Sequence, residues 1–286
     1  MRLVPLLPAL ALAGALTAQE PTPVAADQPQ DPAVRIKAIV DAYNAATRAW
    51  SDKYQKASAD ERKQLVGTYP DRTGPVAEVL DLSEANADLD DLEAGLRFAL
   101  TGSPQQRARA LSFVLAHRME RPRELLAAVQ SLSRYTFSPA GEAICRKVLA
   151  RGEEEHALAI RARFHLAQCL SGYLRTARRL ADDPAAAENL TRFHGETTMA
   201  RIKELDRERA GKEFEGLLEA VVAEGKDVSF RRGTYAEAAA GELFEVRNLQ
   251  VGKVAPEVEG TGIRGKALKL SDFRGKVVLL DFWGDW

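Results

Sequence analysis

The chain has 286 residues, of which 45% are hydrophobic and 28% charged, a composition that suits one or two globular domains. Its formal net charge of −1 gives no bulk attraction to nucleic acid or anionic lipid, so no nucleic-acid partner is expected. Two cysteines, Cys145 and Cys169, are too few for a disulfide scaffold, and aromatics at only 7% beside abundant alanine favour helix over most of the length.

Residues 1–18 carry one early Arg2, an apolar Leu/Ala run and a small-residue ending at Leu16-Thr-Ala18, the layout of a secretory signal peptide. The run is too short for a comfortable membrane span, so export to a periplasmic or other extracytoplasmic space is expected, with a retained N-terminal anchor as the alternative. Residues 19–30, with Pro21, Pro23 and Pro29 and few apolar side chains, read as a disordered lead-in.

From Asp31 the helix signals accumulate. Asp31-Pro32, Ser103-Pro104, Ser138-Pro139 and Asp183-Pro184 each place a capping side chain before a proline, and Gln106 completes a capping box with Ser103. Glu153-Glu-Glu155 reads as another helix start, with negative charge against the N-terminal dipole. Apolar stripes follow a helical period: Ile36, Ile39, Val40, Tyr43, Trp50 and Tyr54; Leu89, Leu92, Leu96 and Leu100; Leu111, Val114 and Leu115. Ile160, Phe164, Ala167, Leu170 and Leu174 repeat the pattern, as do Met199, Ile202 and Leu205, then Phe214, Leu217, Leu218 and Val221. Short Pro/Ser/Gly turns between such helices predict a helical array over residues 31–240, a solenoid or irregular bundle, with no single repeat period holding throughout. Gly225 to Gly233 breaks the helices, and Tyr235 to Ala240 reads as one more short helix before a domain boundary near residues 241–250.

The last segment, residues 241–286, changes character. Val254 to Glu259 is a short extended piece, Ala267 to Leu270 alternates, and Val277 to Trp283 is a nearly unbroken apolar run of the kind a central strand buries on both faces. Ser271-Asp-Phe-Arg-Gly275 is a turn, with glycine free to take positive φ. Gly260-Thr-Gly262-Ile-Arg-Gly265 matches the dinucleotide-binding spacing, but a strand rather than a helix follows it, so it reads as a hairpin tip and no cofactor is expected.

Val251-Gly-Lys-Val-Ala-Pro256, Gly265-Lys266, Leu270-Ser-Asp-Phe-Arg-Gly-Lys276 and Val277-Val-Leu-Leu-Asp-Phe-Trp283, ending in Trp286, resemble the opening of the redoxin branch of the thioredoxin-like fold, the TlpA and AhpC/TSA group. Joined to the helical array read from caps and periodicity, the resemblance implies a mainly α chain in which that array is followed by the N-terminal β part of an incomplete thioredoxin-like α/β domain. It also implies that the attacking cysteine of a Trp-Cys-x-x-Cys motif would come directly after Trp286, at a helix N-terminus that lowers thiol pKa. Trp283, Asp281 and Trp286 would then flank the active site. A buried Asp281 could accept a proton near the dithiol; an Asp reached by water or paired with Lys is the alternative.

The expected activity is exported thiol-disulfide exchange or peroxide reduction, silent in these 286 residues because no catalytic residue is present. Its partners would be a disulfide-containing protein or a peroxide. A UGA codon after Trp286, which can specify selenocysteine, is one explanation of the ending; a frameshift, a nonsense mutation or a cut fragment are the others. The alternative function is a helical protein-interaction scaffold, with its own protein partner, carrying a non-catalytic redoxin remnant. Cys145 and Cys169 read as buried helix residues, with a structural disulfide as the alternative. His117, His156, His165 and His194 lie on separate segments without metal-ligand spacing, so no metal is expected.

Overall fold

The structure, a computed structural model, describes residues 31–284 except Arg134, Glu153 and Glu154. The signal peptide and lead-in expected over residues 1–30, Trp286, and most of the Glu153-Glu-Glu155 helix start lie outside the described residues.

Helix α1 (Pro32–Lys56) begins where the caps predict: the Asp31 carboxylate accepts the Ala33 N–H at 3.0 Å and proline occupies the first helical turn. Its stripe buries Ile36 and half-buries Ile39, Val40 and Tyr43, while Trp50 stacks on Tyr54 at 4.8 Å. The Trp50 indole donates to the Leu65 carbonyl at 3.1 Å and so holds the end of α2 (Ala59–Leu65) against α1. Next comes α3 (Thr73–Ala85), which buries Val76, Val79 and Leu80.

The predicted stripe from Leu89 to Leu100 is only partly helical, because α4 (Glu93–Ala99) starts after Leu92. The Arg118 guanidinium takes the carbonyls of Ala87 and Leu89 at 2.9 and 2.6 Å, and Glu124 accepts the Leu92 N–H at 3.2 Å. These tertiary bonds claim backbone groups that a longer helix would have used, so the connection before α4 stays irregular.

Helices α5 (Pro104–His117), α6 (Pro122–Ser131) and α7 (Pro139–Ala150) each open on a proline. The Ser103–Gln106 capping box closes reciprocally, at 2.9 and 3.3 Å. The Ser138 hydroxyl accepts the Gly141 N–H at 3.2 Å. The long α8 (His156–Asp182) buries Ile160, Phe164, Ala167 and Leu170 on the predicted stripe. At 27 residues it spans roughly 40 Å at 1.5 Å per residue. Gly172 lies where a Cβ would come within 2.2 Å of the Phe137 ring, so glycine is required for this close approach.

Asp183 caps a 3-10 turn, Pro184–Ala186, that runs into α9 (Ala187–His194). Gly195, at φ +83°, then redirects the chain into α10 (Glu196–Lys203), leaving Leu205 just beyond its predicted helix. After α11 (Arg207–Glu224) a small antiparallel hairpin pairs β1 (Ser229–Phe230) with β2 (Gly233–Thr234). Helix α12 (Tyr235–Asn248) starts on a Thr234–Glu237 capping box and runs through the exposed Gly241, eight residues past the expected short helix, because the packing of its inner face on α11 outweighs the weak helix preference of one glycine.

Neighbour relations advance along the chain. Helix α1 packs on α3 and α4, α3 on α5, α4 on α6, α5 on α7, α7 on α8, and α11 on both α8 and α12. The fold is therefore mainly α, a stacked helical array whose continuous core runs from Ile36 to Leu243. Among the described residues no helix is long and apolar enough to cross a membrane.

Beyond α12, β3 (Glu259–Thr261) and β4 (Ala267–Lys269) form an antiparallel hairpin with Thr261 opposite Ala267. The strand expected over Val277 to Trp283 does not form, and of Val254 to Glu259 only Glu259 is paired. An apolar strand persists only where neighbours take its backbone N–H and C=O groups. Among the described residues no strand pairs with 277–284.

Candidate functional site

The redoxin-like residues can be followed individually through the C-terminal segment. Gly262 and Gly265 turn the β3–β4 hairpin, with Gly265 at φ +75° and the Gly262 N–H donating to the Lys266 carbonyl at 2.9 Å. The glycine-rich motif is thus a hairpin tip followed by a strand, so no helix N-terminus stands behind it to meet a pyrophosphate. Lys269 pairs with Glu259 across the hairpin at 2.5 Å. The Glu257 carboxylate accepts the Ser271 N–H at 3.0 Å, and its bonds to Ser271 hold its pKa below the ordinary carboxylate value. These contacts fold the expected turn into a 3-10 turn, Leu270–Phe273, ended by Gly275 at φ +81°.

Of the residues expected to flank an active site, Asp281 and Trp283 lie among the described residues. Asp281 is exposed, so the burial that would have suited it to proton transfer is absent, and Trp283 is 84% exposed. Trp286 lies outside the described residues. Val277, Leu279 and Phe282 are likewise open to solvent. A shallow cavity of about 190 Å³ lies beside this run's lead-in, lined by Val254, Pro256, Glu257, Leu270, Ser271 and Arg274, and it contains no titratable pair arranged for acid–base work.

The segment from residue 241 to 286 contains no cysteine. Both thiols belong to the helical core: Cys145 on α7 and Cys169 on α8 are free and fully buried. Burial pushes the Cys145 thiol up to about 12 and the Cys169 thiol well above its ordinary value. A nucleophilic or metal-binding cysteine needs the opposite, an accessible thiolate stabilised by nearby positive charge. The disulfide alternative is not realised.

The polar features of the helical array were not foreseen. Arg118 and Glu124, both buried, pair at 2.6 Å. Glu142 accepts from Arg146 and Arg201 at 3.0 Å each, which joins α7 to α10, and Arg146 continues to Glu213 on α11 at 2.6 Å. Burial raises the Glu142 pKa, but the two guanidiniums outweigh it and hold the group below the usual carboxylate range. His165 is buried, with Nδ1 2.7 Å from the Leu132 carbonyl and Nε2 3.3 Å from the Tyr235 hydroxyl. Burial lowers its pKa to about 4, so it is a neutral core residue. His194 packs on Phe137, and His156 lies 3.3 Å from Asp227. Among the described residues no group of three or more His, Cys, Asp or Glu side chains is placed to hold a metal ion. Local sequence gives little signal for such pairs, because partners such as Glu142 and Arg201 are far apart in the chain.

Forty-six residues, 16% of the chain, are 41% identical to the thiol-disulfide oxidoreductase ResA of Bacillus thuringiensis subsp. konkukian (strain 97-27). ResA of Bacillus cereus (strain ATCC 10987 / NRS 248) and of Bacillus anthracis match over the same length at the same identity. The chain spans 27% of the length of these curated relatives. No family model matches the chain. No solved structure matches it significantly. A short part of this chain is thus related to a thioredoxin-like thiol-disulfide oxidoreductase.

Proposed function

We propose that this chain is an exported redoxin-type protein in which a helical array precedes the opening of a thiol-disulfide oxidoreductase domain. The observation that carries the reading is the 46-residue likeness to ResA, at 41% identity. In this reading the matched residues are those of the C-terminal segment, where the hairpin, the Ser271–Gly275 turn and the apolar run of the redoxin opening lie.

The 286 residues do not themselves exchange thiols. Their two thiols are sealed in the helical core with raised pKa values, and neither lies in the redoxin-like segment. A thiolate attack on a disulfide requires access as well as ionisation, and neither thiol has either. The nucleophile called for by the resemblance would stand directly after Trp286, with Asp281, Trp283 and Trp286 beside it, and its substrate would be a disulfide-bonded protein. A peroxide substrate is the less favoured variant, because the relatives are named for thiol-disulfide exchange.

Reading the gene through the codon that follows Trp286 tests this. A cysteine codon or UGA there, followed in frame by x-x-Cys and a further α/β half, is expected. Any other continuation removes the redox reading and leaves the helical array as a protein-interaction module.

A further inference from the structure

We draw no further inference here: the strongest candidate, the groove between the end of α7 and the starts of α6 and α8, lined by Met119, Pro122, Leu125, Val148 and Leu158, is rimmed by charges of both signs, with Arg151 paired to Glu120 and Glu155 beside them, and nothing in the structure shows what covers it.

Discussion

The guanidinium of Arg118 meets the carboxylate of Glu124 through two hydrogen bonds, Nε to Oε2 at 2.6 Å and Nη2 to Oε1 at 3.0 Å, with both side chains buried. The remaining donors take the Ala87 and Leu89 carbonyls, and Glu124 also holds the Leu92 N–H. One charge pair therefore ties the connection before α4 to the turn between α5 and α6. Glu124→Gln leaves a buried cation without its counter-charge, and its unfolding free energy should fall by about 3–5 kcal/mol. Urea unfolding followed by circular dichroism measures this; a loss below 1 kcal/mol would show that water reaches the pair.

His165 makes stability depend on pH. Its folded pKa of about 4 lies below the ordinary 6.5, mainly through burial, so the unfolded chain takes up a proton that the folded one refuses. The resulting stabilisation is fully present above pH 6.5 and is lost as pH falls from 6.5 through 4. Melting temperatures recorded between pH 7.5 and 4.5 should drop across this window, and His165→Gln should flatten the drop. An equally steep profile in the variant would assign the effect to other groups.

Gly172 and Phe137 pack with no room for a methyl group between them. Gly172→Ala should cost about 1–3 kcal/mol by overpacking, even though alanine is the better helix former. A variant as stable as wild type would mean that the Phe137 ring can swing away.

The C-terminal segment exposes Val277, Leu279, Phe282 and Trp283, and β4 packs mainly on β3 and the following 3-10 turn. Few buried contacts mean low local stability. Limited digestion with trypsin should cut first after Arg264, Lys266 or Lys276 and leave a resistant helical fragment ending near α12. Early cleavage within α5 to α8 would contradict this.

Much of the helical array was legible in the sequence because its caps are local. Asp31, Ser103 and Ser138 each bond an N–H two or three residues away, so residue type and spacing suffice to find them. The irregular stretch before α4 was not legible, since what keeps Leu89 out of a helix is Arg118, reached only through the fold. In the redoxin-like segment the hairpin and turn depend on glycines and short-range bonds and were readable for the same reason. The Val277 to Trp283 strand was not, because apolar residues declare a preference for burial, while a strand also needs partners for its backbone.

Whether either thiol of the 286 residues can exchange with a disulfide is tested most directly by insulin reduction. With dithiothreitol as electron donor, the rate of insulin precipitation should equal the blank without protein. A rate well above the blank that disappears in Cys145→Ala or Cys169→Ala would contradict the proposed lack of a working thiol, since it would require a core thiol to reach solvent as a thiolate.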